Sequence, residues 1–463
     1  MQFEGNCITM VQNLISLSAR EIAGAVQTGA LDPLTLLDAF SARIAERNPA
    51  LNALVTLDPA RSRAEAASVA ARLAKGEHLP LAGVPIIIKD NLWARGWRVT
   101  QGSRLFADFI APEDSRVVAR VREAGAVIIG IGACSEFACK GVTTTPLHGV
   151  THHPLDPDLT PGGSSGGNAA ALAAGFAPIA LGTDAGGSGR RPAAHCGVVG
   201  FKPGRGKAPY EPGFAEAVAD ISEASPMGRT VDDVALLFDV VRADAKSAAR
   251  KDARIGFSPR FGLEVPVEPE VEAAIAHAIA ALRAAGWMIA DLDPVWPDGT
   301  SENDVMPLQF AGLSSAYGER WMTEPELFDP AIGAQIEQGL ALSPADLARA
   351  GAASLRLRHA LDAVFADVDL LIGPTVPCVA WPHRLPGPET IAGLPVLPRA
   401  HAVFTPRINH AGLPAISLPC GPGRAHLPTG LQIVGDHGAD DLVLQAARDA
   451  EAALSDLVAS ILK

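Results

Sequence analysis

TPGGSSGGNAAALAAGFAPIALGTDAGGSGRRPA, residues 160–193, sets nine glycines and three serines around a short apolar run. In order it reads as a Gly/Ser loop, an Ala-rich helix over Asn168 to Ala174, a buried strand at PIALGTD, and a second Gly/Ser loop. A helix feeding a buried strand is the rhythm of a layered α/β fold. The second loop, LGTDAGGSGR, places Ser188 after a strand and two glycines, where the backbone turns sharply and exposes several successive N–H groups. Such a nest of donors suits an oxyanion, and a serine beside it is a candidate nucleophile if a base can take its proton.

The same rhythm extends in both directions. Upstream, from Ser18 to about Gly76, SAREIAGAVQTGA, DPLTLLDAFSARIAERNP with Asp32 and Pro33 as cap and first-turn pair, and ARSRAEAASVAARLAKG read as helices packed on another layer. LAGVPIIIKDNL has a β-branched run ending at a lone lysine, a buried strand, and SRVVARVREAGAVIIGIGACSEFA gives a helix, a Gly turn and another strand. Downstream, TVDDVALLFDVV and EVEAAIAHAIAALRAAGW are amphipathic helices, and MIADLDPVW, VDLLIGPTVP, PAISLPCG and GLQIVG are short strands before the closing helix ADDLVLQAARDAEAAL. Periodicity fades over 294–343, which is expected to be a variable, substrate-facing region.

With 48% apolar and only 19% charged residues among 463, the composition is that of a large, well-buried globular core. The formal charge of −13 comes without a long basic run, so neither nucleic acid nor an anionic membrane is expected as a partner. Six cysteines, at 7, 134, 139, 196, 378 and 420, form no CxxC pair and fit reduced thiols in a cytoplasmic protein. The start, MQFEGNCITMVQN, lacks the cationic and apolar regions of a signal peptide, and no segment supplies about 18 uninterrupted apolar residues. Neither secretion nor membrane spanning is expected.

Two residue types could serve Ser188 as base. His195 follows it by seven positions but reads more simply as a packed side chain, and His152 with His153 lacks a third ligand at metal-site spacing. Lys89 ends the apolar strand GVPIIIK; buried there it would lose solvation and become a usable neutral amine, or it would reach water or pair with Asp90. VIIGIGACSE at Val127 to Glu136 begins like a nucleotide-binding loop, but the third glycine and the later carboxylate are missing.

GVPIIIKDN, TPGGSSGG and GTDAGGSGR, in that order, with 75 residues from Lys89 to Ser164 and 24 from Ser164 to Ser188, resemble the amidase signature family. The resemblance extends to LNALVT, SEFA, CGVVGFKP, MGRTVDDVALL, AGLPAISLPCG and GLQIVG, nearly the whole chain. It implies one α/β/α layered domain over 1–463 with a mixed central sheet, the helices of 1–76 wrapping outside it and the core motifs lying within 81–203. It also implies a Ser, cis-Ser and Lys triad: Ser188 as nucleophile, Ser164 as relay with a cis peptide bond to Gly163, and Lys89 as base and acid. Ala185, Gly186, Gly187 and Ser188 would donate backbone N–H groups to the oxyanion, with Ser165, Asp184 and Arg190 in support. The alternative for Asp184 and Arg190 is an ordinary surface pair. Cys139, Lys140, Gly141 and Val142 after SEFA, and Ile372, Pro374 and Thr375, would line the substrate pocket; Phe310, Tyr317 and Trp321 would join them or belong to the core.

The implied activity is hydrolysis of a small linear amide, an anilide or a carbamate through an acyl-serine, without metal or cofactor. The alternatives are a glutaminase-type component of a transamidation complex and a non-catalytic binding protein on the same scaffold. Relatives of this kind often pair, so a homodimer is open. Two departures stand out: Gly189 where an apolar residue usually follows the nucleophile, and His195 where an aromatic is usual. TTTPLHGVTHHP, with His148 and His153, also differs from the family's Asn-rich segment beside the substrate site.

Overall fold

Ile86, Ile87 and Ile88 are all fully buried, although successive side chains in a strand point to opposite faces. A strand buried on both sides needs a layer of helices over each face, and that requirement shapes the molecule. The computed structural model describes residues 14–218, 220–247 and 252–459; the N-terminal start and Cys7 lie outside the described residues. The strands are β1 (Leu54–Thr56), β2 (Pro85–Lys89), β3 (Val127–Gly132), β4 (Thr144–Thr145), β5 (Gly149–Val150), β6 (Ile179–Asp184), β7 (Val199–Lys202), β8 (Glu223–Gly228), β9 (Ile255–Phe257), β10 (Ile289–Asp291), β11 (Leu370–Pro374), β12 (Thr390–Ile391), β13 (Leu394–Pro395), β14 (Ala415–Pro422) and β15 (Pro428–Gly435).

Eleven of them form one mixed sheet in the order β1-β3-β2-β6-β8-β7-β14-β15-β11-β9-β10. β2 runs parallel to β3 and β6, while β8, β7, β14, β15 and β11 alternate in direction. Helices flank this sheet, as the sequence implies.

Helix entry points follow the local chemistry of the chain. Ser18 and Glu21 form a capping box before Ala19–Gln27, and the Asp32 carboxylate accepts the Thr35 N–H at 2.9 Å, with Pro33 opening Pro33–Leu51. Pro59–Ala74 completes the N-terminal helices. Thr230 caps Val231–Val241, and Asp440–Ala453 is the long C-terminal helix. No helix among the described residues is long and apolar enough to cross a membrane.

Residues 294–343, where periodicity fades, contain two helices, Glu302–Thr323 and Pro330–Leu340. The longer one buries only Val305, Leu313, Tyr317 and Gly318 and contains Pro307, too sparse a pattern to register as an apolar stripe. Tyr317 stacks on Phe137 with ring centroids 4.0 Å apart, and Trp321 meets Phe328 edge-on. Phe137, Cys139, Ala217, Leu313, Tyr317 and Ile332 belong to a small apolar core separate from the one around the sheet. The following helix, Pro344–Asp367, is signalled by SPAD, a capping box of Ser343 and Asp346 with Pro344 in the first turn.

Candidate active site

Lys89 is the last residue of β2, held between β3 and β6, and is fully buried. Its Nζ lies 2.8 Å from Ser164 Oγ and 2.8 Å from Thr183 Oγ1. Asp90 takes no part: its carboxylate accepts the N–H groups of Thr100 at 2.7 Å and Gly102 at 3.0 Å. The lysine therefore neither reaches water nor pairs with its neighbour. Burial pulls its pKa down to about 8, within reach of neutral pH.

The first serine loop turns at a cis peptide bond between Gly163 and Ser164. The backbone from Lys140 to Val142 packs so closely on Gly163 that a Cβ there would stand 2.7 Å from the Gly141 carbonyl carbon. Ser165 ties the two loops together, donating its N–H to the Ser188 carbonyl at 3.1 Å and its hydroxyl to the Thr183 carbonyl at 3.3 Å. The helix Gly166–Ala173 then leaves toward β6.

The second loop is organised by Asp184 at the end of β6. Its carboxylate accepts the N–H groups of Gly187 at 2.7 Å and Gly189 at 3.2 Å, and Arg190 Nη2 at 2.9 Å. Asp184 and Arg190 are both fully buried, so the surface-pair reading does not apply. Burial alone would raise the Asp184 pKa, but Arg190 and the amide of Asn409 outweigh it and hold the carboxyl well below its usual range. Arg190 is fixed in turn by Gln432 Oε1 at 2.7 Å and by Asn409. Gly187 has φ of +101°, a region side-chain-bearing residues avoid, and it abuts Thr405, whose hydroxyl donates to the Gly186 carbonyl at 2.9 Å.

One expected oxyanion donor is otherwise engaged: the Gly187 N–H points to Asp184. The N–H groups of Ala185, Gly186 and Ser188 have no hydrogen-bond partner among the described residues.

Ser164, Ser188, Ala185, Gly186, Cys139 and Lys140 line one narrow cleft. Gly141 and Val142 sit behind it, against the cis-peptide loop and Trp381's apolar cluster. Ile372, Pro374 and Thr375 are not at the cleft. β11 is five places along the sheet from β6; Ile372 is core, Pro374 borders a different cavity beside Phe257 and Val271, and the Thr375 hydroxyl is 2.8 Å from that of Ser417. Phe310, Tyr317 and Trp321 do not line the cleft either. Residues that sequence reasoning missed do line it: Thr183, Arg191, Glu216, Gln309 and Arg399. Of these only Thr183 and Arg191, within the Gly/Ser motif, carried a local signal.

None of His148, His153 and His195 lines the cleft. His195 meets Trp381 edge-on at 5.3 Å, neither ring nitrogen has a partner among the described residues, and burial, then His153, pushes its pKa down to about 3. It fills an aromatic position as a neutral ring. His153 bonds the His195 carbonyl at 2.8 Å, and His148 is 2.9 Å from the Thr100 hydroxyl.

Comparison with known proteins agrees with this geometry. The amidase family model matches residues 35–444. The chain is 34% identical to the glutamyl-tRNA(Gln) amidotransferase A subunit of Deinococcus radiodurans, over 94% of this chain and 97% of that protein. Its fold superposes on a crystal structure of an amidase with a TM-score of 0.88 at 29% identity, covering 95% of this chain and 100% of the other. It superposes on a bacterial aryl acylamidase of the amidase signature family with a TM-score of 0.87 at 25% identity, covering 96% and 98%. A family match over most of the chain, joined to a mixed eleven-stranded sheet of the same architecture, makes this protein a member of the amidase signature family.

Proposed function

We propose that the protein hydrolyses the C–N bond of a small amide through an acyl intermediate on Ser188. The observation that carries this reading is the 2.8 Å contact between buried Lys89 and Ser164, in the cleft that also holds Ser188. A lysine with pKa about 8 leaves roughly a tenth of the molecules with a neutral amine at pH 7. Ser188 attacks the carbonyl carbon while its proton passes through the Ser164 hydroxyl to Lys89. The N–H groups of Ala185, Gly186 and Ser188 receive the oxyanion. Collapse breaks the C–N bond as the proton returns by the same route to the leaving nitrogen, and water then releases the acyl group by the reverse relay.

The amide itself divides the reading. A free-standing amidase would take a linear amide, anilide or carbamate, and the structures that superpose with TM-scores of 0.88 and 0.87 are amidases. The curated relatives favour the other branch more strongly: they are amidotransferase A subunits, for which the amide would be glutamine and partner subunits would receive the ammonia. Residues 294–343 face substrate through Gln309 in either case. The five cysteines among the described residues are unpaired and buried, which supports a cytoplasmic setting.

A hydrolysis screen of wild type and Ser188→Ala, without added metal, across aliphatic amides, anilides, aryl carbamates and glutamine tests the proposal. Turnover confined to wild type supports the acyl-serine route, and glutamine alone points to the amidotransferase branch. Equal rates in both proteins exclude it, and silence on every compound shifts weight to a binding role.

A further inference from the structure

Of the three basic side chains that line the cleft, Lys140, Arg191 and Arg399, Arg191 alone has no charge partner among the described residues. Its neighbours each have a carboxylate partner: Arg190 has Asp184 at 2.9 Å, Lys140 has Asp329, and Arg399 has Glu302 at 2.7 Å. Arg191 is 5% exposed, has no carboxylate within 4.0 Å among the described residues, and its Nε has no hydrogen-bond partner there. Its side chain bonds from Nη1 to His401 Nδ1 at 3.3 Å, and since a guanidinium only donates, that ring nitrogen must accept. The imidazole is therefore neutral and offsets no charge; burial, then Arg191 itself, holds the His401 pKa well below its usual value.

The guanidinium also stands at the reacting centre. A Cβ placed on Gly187, the residue before the nucleophile, would be 2.9 Å from Arg191 Nε. Burial, then the like charge of Arg399, lowers the Arg191 pKa to about 10, which leaves it protonated at neutral pH. A buried, charged, under-bonded group is costly to maintain unless something completes it. Glu216, the one carboxylate lining the cleft among the described residues, already accepts from Tyr210 Oη at 2.6 Å and from Ser222 Oγ at 3.3 Å. No described residue supplies the missing partner.

We infer that the amide cleaved here carries a carboxylate, and that Arg191, reinforced by Arg399, is the specificity-determining residue that holds it. Planar bidentate pairing is what a guanidinium offers such a group. The inference rests on the hydrolase reading and narrows its substrate class to ω-carboxy amides, of which glutamine is one and simple anilides are not.

The test uses Ser188→Ala, in which binding is read without turnover. Calorimetry compares succinamate, glutaramate and adipamate with pentanamide, then repeats the comparison with Arg191→Gln, Arg191→Lys or Arg399→Gln added. At least one carboxylate should bind roughly tenfold or more tighter than pentanamide, and Arg191→Gln should erase that ratio while Arg191→Lys keeps part of it. Should Arg191→Gln fail to fold, Arg399→Gln should still lower the ratio. Equal binding of acid and neutral amides, no binding of any carboxylate, or a ratio unaltered by these changes overturns the inference. Turnover of pentanamide or an anilide by wild type is scored separately. Turnover without carboxylate discrimination keeps the hydrolase and removes the inference; Arg191-dependent carboxylate binding with no amide turned over does the reverse.

Discussion

Thr183 Oγ1 receives two donors, Lys89 Nζ at 2.8 Å and Asn91 Nδ2 at 3.0 Å. The threonine thus gives the lysine a second fixed contact besides its serine and stabilises the ammonium form by accepting from it. Thr183→Val keeps the shape and removes the acceptor. The plateau rate should fall about 3- to 30-fold, while the acid limb of the pH–rate profile moves to lower pH because the charged lysine loses a hydrogen bond. An unshifted limb would separate Thr183 from the titration of Lys89.

Ser188→Ala, Ser164→Ala and Lys89→Met should each lower the rate by about a thousandfold or more, with folding retained by circular dichroism. Wild-type activity should rise with pH through about 8 and then level, as the neutral amine becomes the dominant form.

The same lysine makes stability depend on pH with a definite sign. Its folded pKa, about 8, lies below its ordinary value of 10.5, so between these values the unfolded chain binds more protons and stability rises with pH. Below pH 8 the full cost of burying the lysine is present. Lys89→Met should therefore raise Tm most at pH 7, and the gain over wild type should shrink as pH climbs from 8 toward 10.5.

Asp184→Asn leaves the fully buried Arg190 without its counter-charge and removes an acceptor from the nucleophile loop. Breaking a buried pair by deleting one partner costs about 3–5 kcal/mol, to be read from urea denaturation midpoints. Asp184→Ala should be no milder.

Gly189 departs from the apolar residue usual after the nucleophile, and its surroundings give the reason: a Cβ there would stand 2.1 Å from Ser225 Oγ. That hydroxyl donates to the Phe201 carbonyl at 2.7 Å, so it cannot swing away freely. Gly189→Ala should cost about 1–3 kcal/mol, and adding Ser225→Gly should recover part of it. Additive losses in the double variant would mean that the two residues do not compete for the same space.

What the sequence made legible follows the range over which each feature is encoded. Lys89, Ser164 and Ser188 sit in short segments whose glycines and β-branched residues announce their own turns and strands, and those elements formed where expected. Arg399, Glu216 and Gln309 carry no such local mark, because they meet at the cleft only after the chain has crossed the sheet. Ile372, Pro374 and Thr375 were expected at the cleft for the opposite reason. A buried strand ending in Gly-Pro-Thr resembles the end of any catalytic strand, and its distance along the sheet from β6 is a matter of strand order, which local pattern does not contain.

The small core around Tyr317, Leu313 and Phe137 also supports the wall of the cleft that carries Cys139 and Gln309, while Lys89 hangs from the main sheet. Machinery and part of the mould are thus mounted on different foundations. A lineage could recast the shape of that wall by altering residues of the smaller foundation, with Lys89 and its serine partner left undisturbed in the larger one.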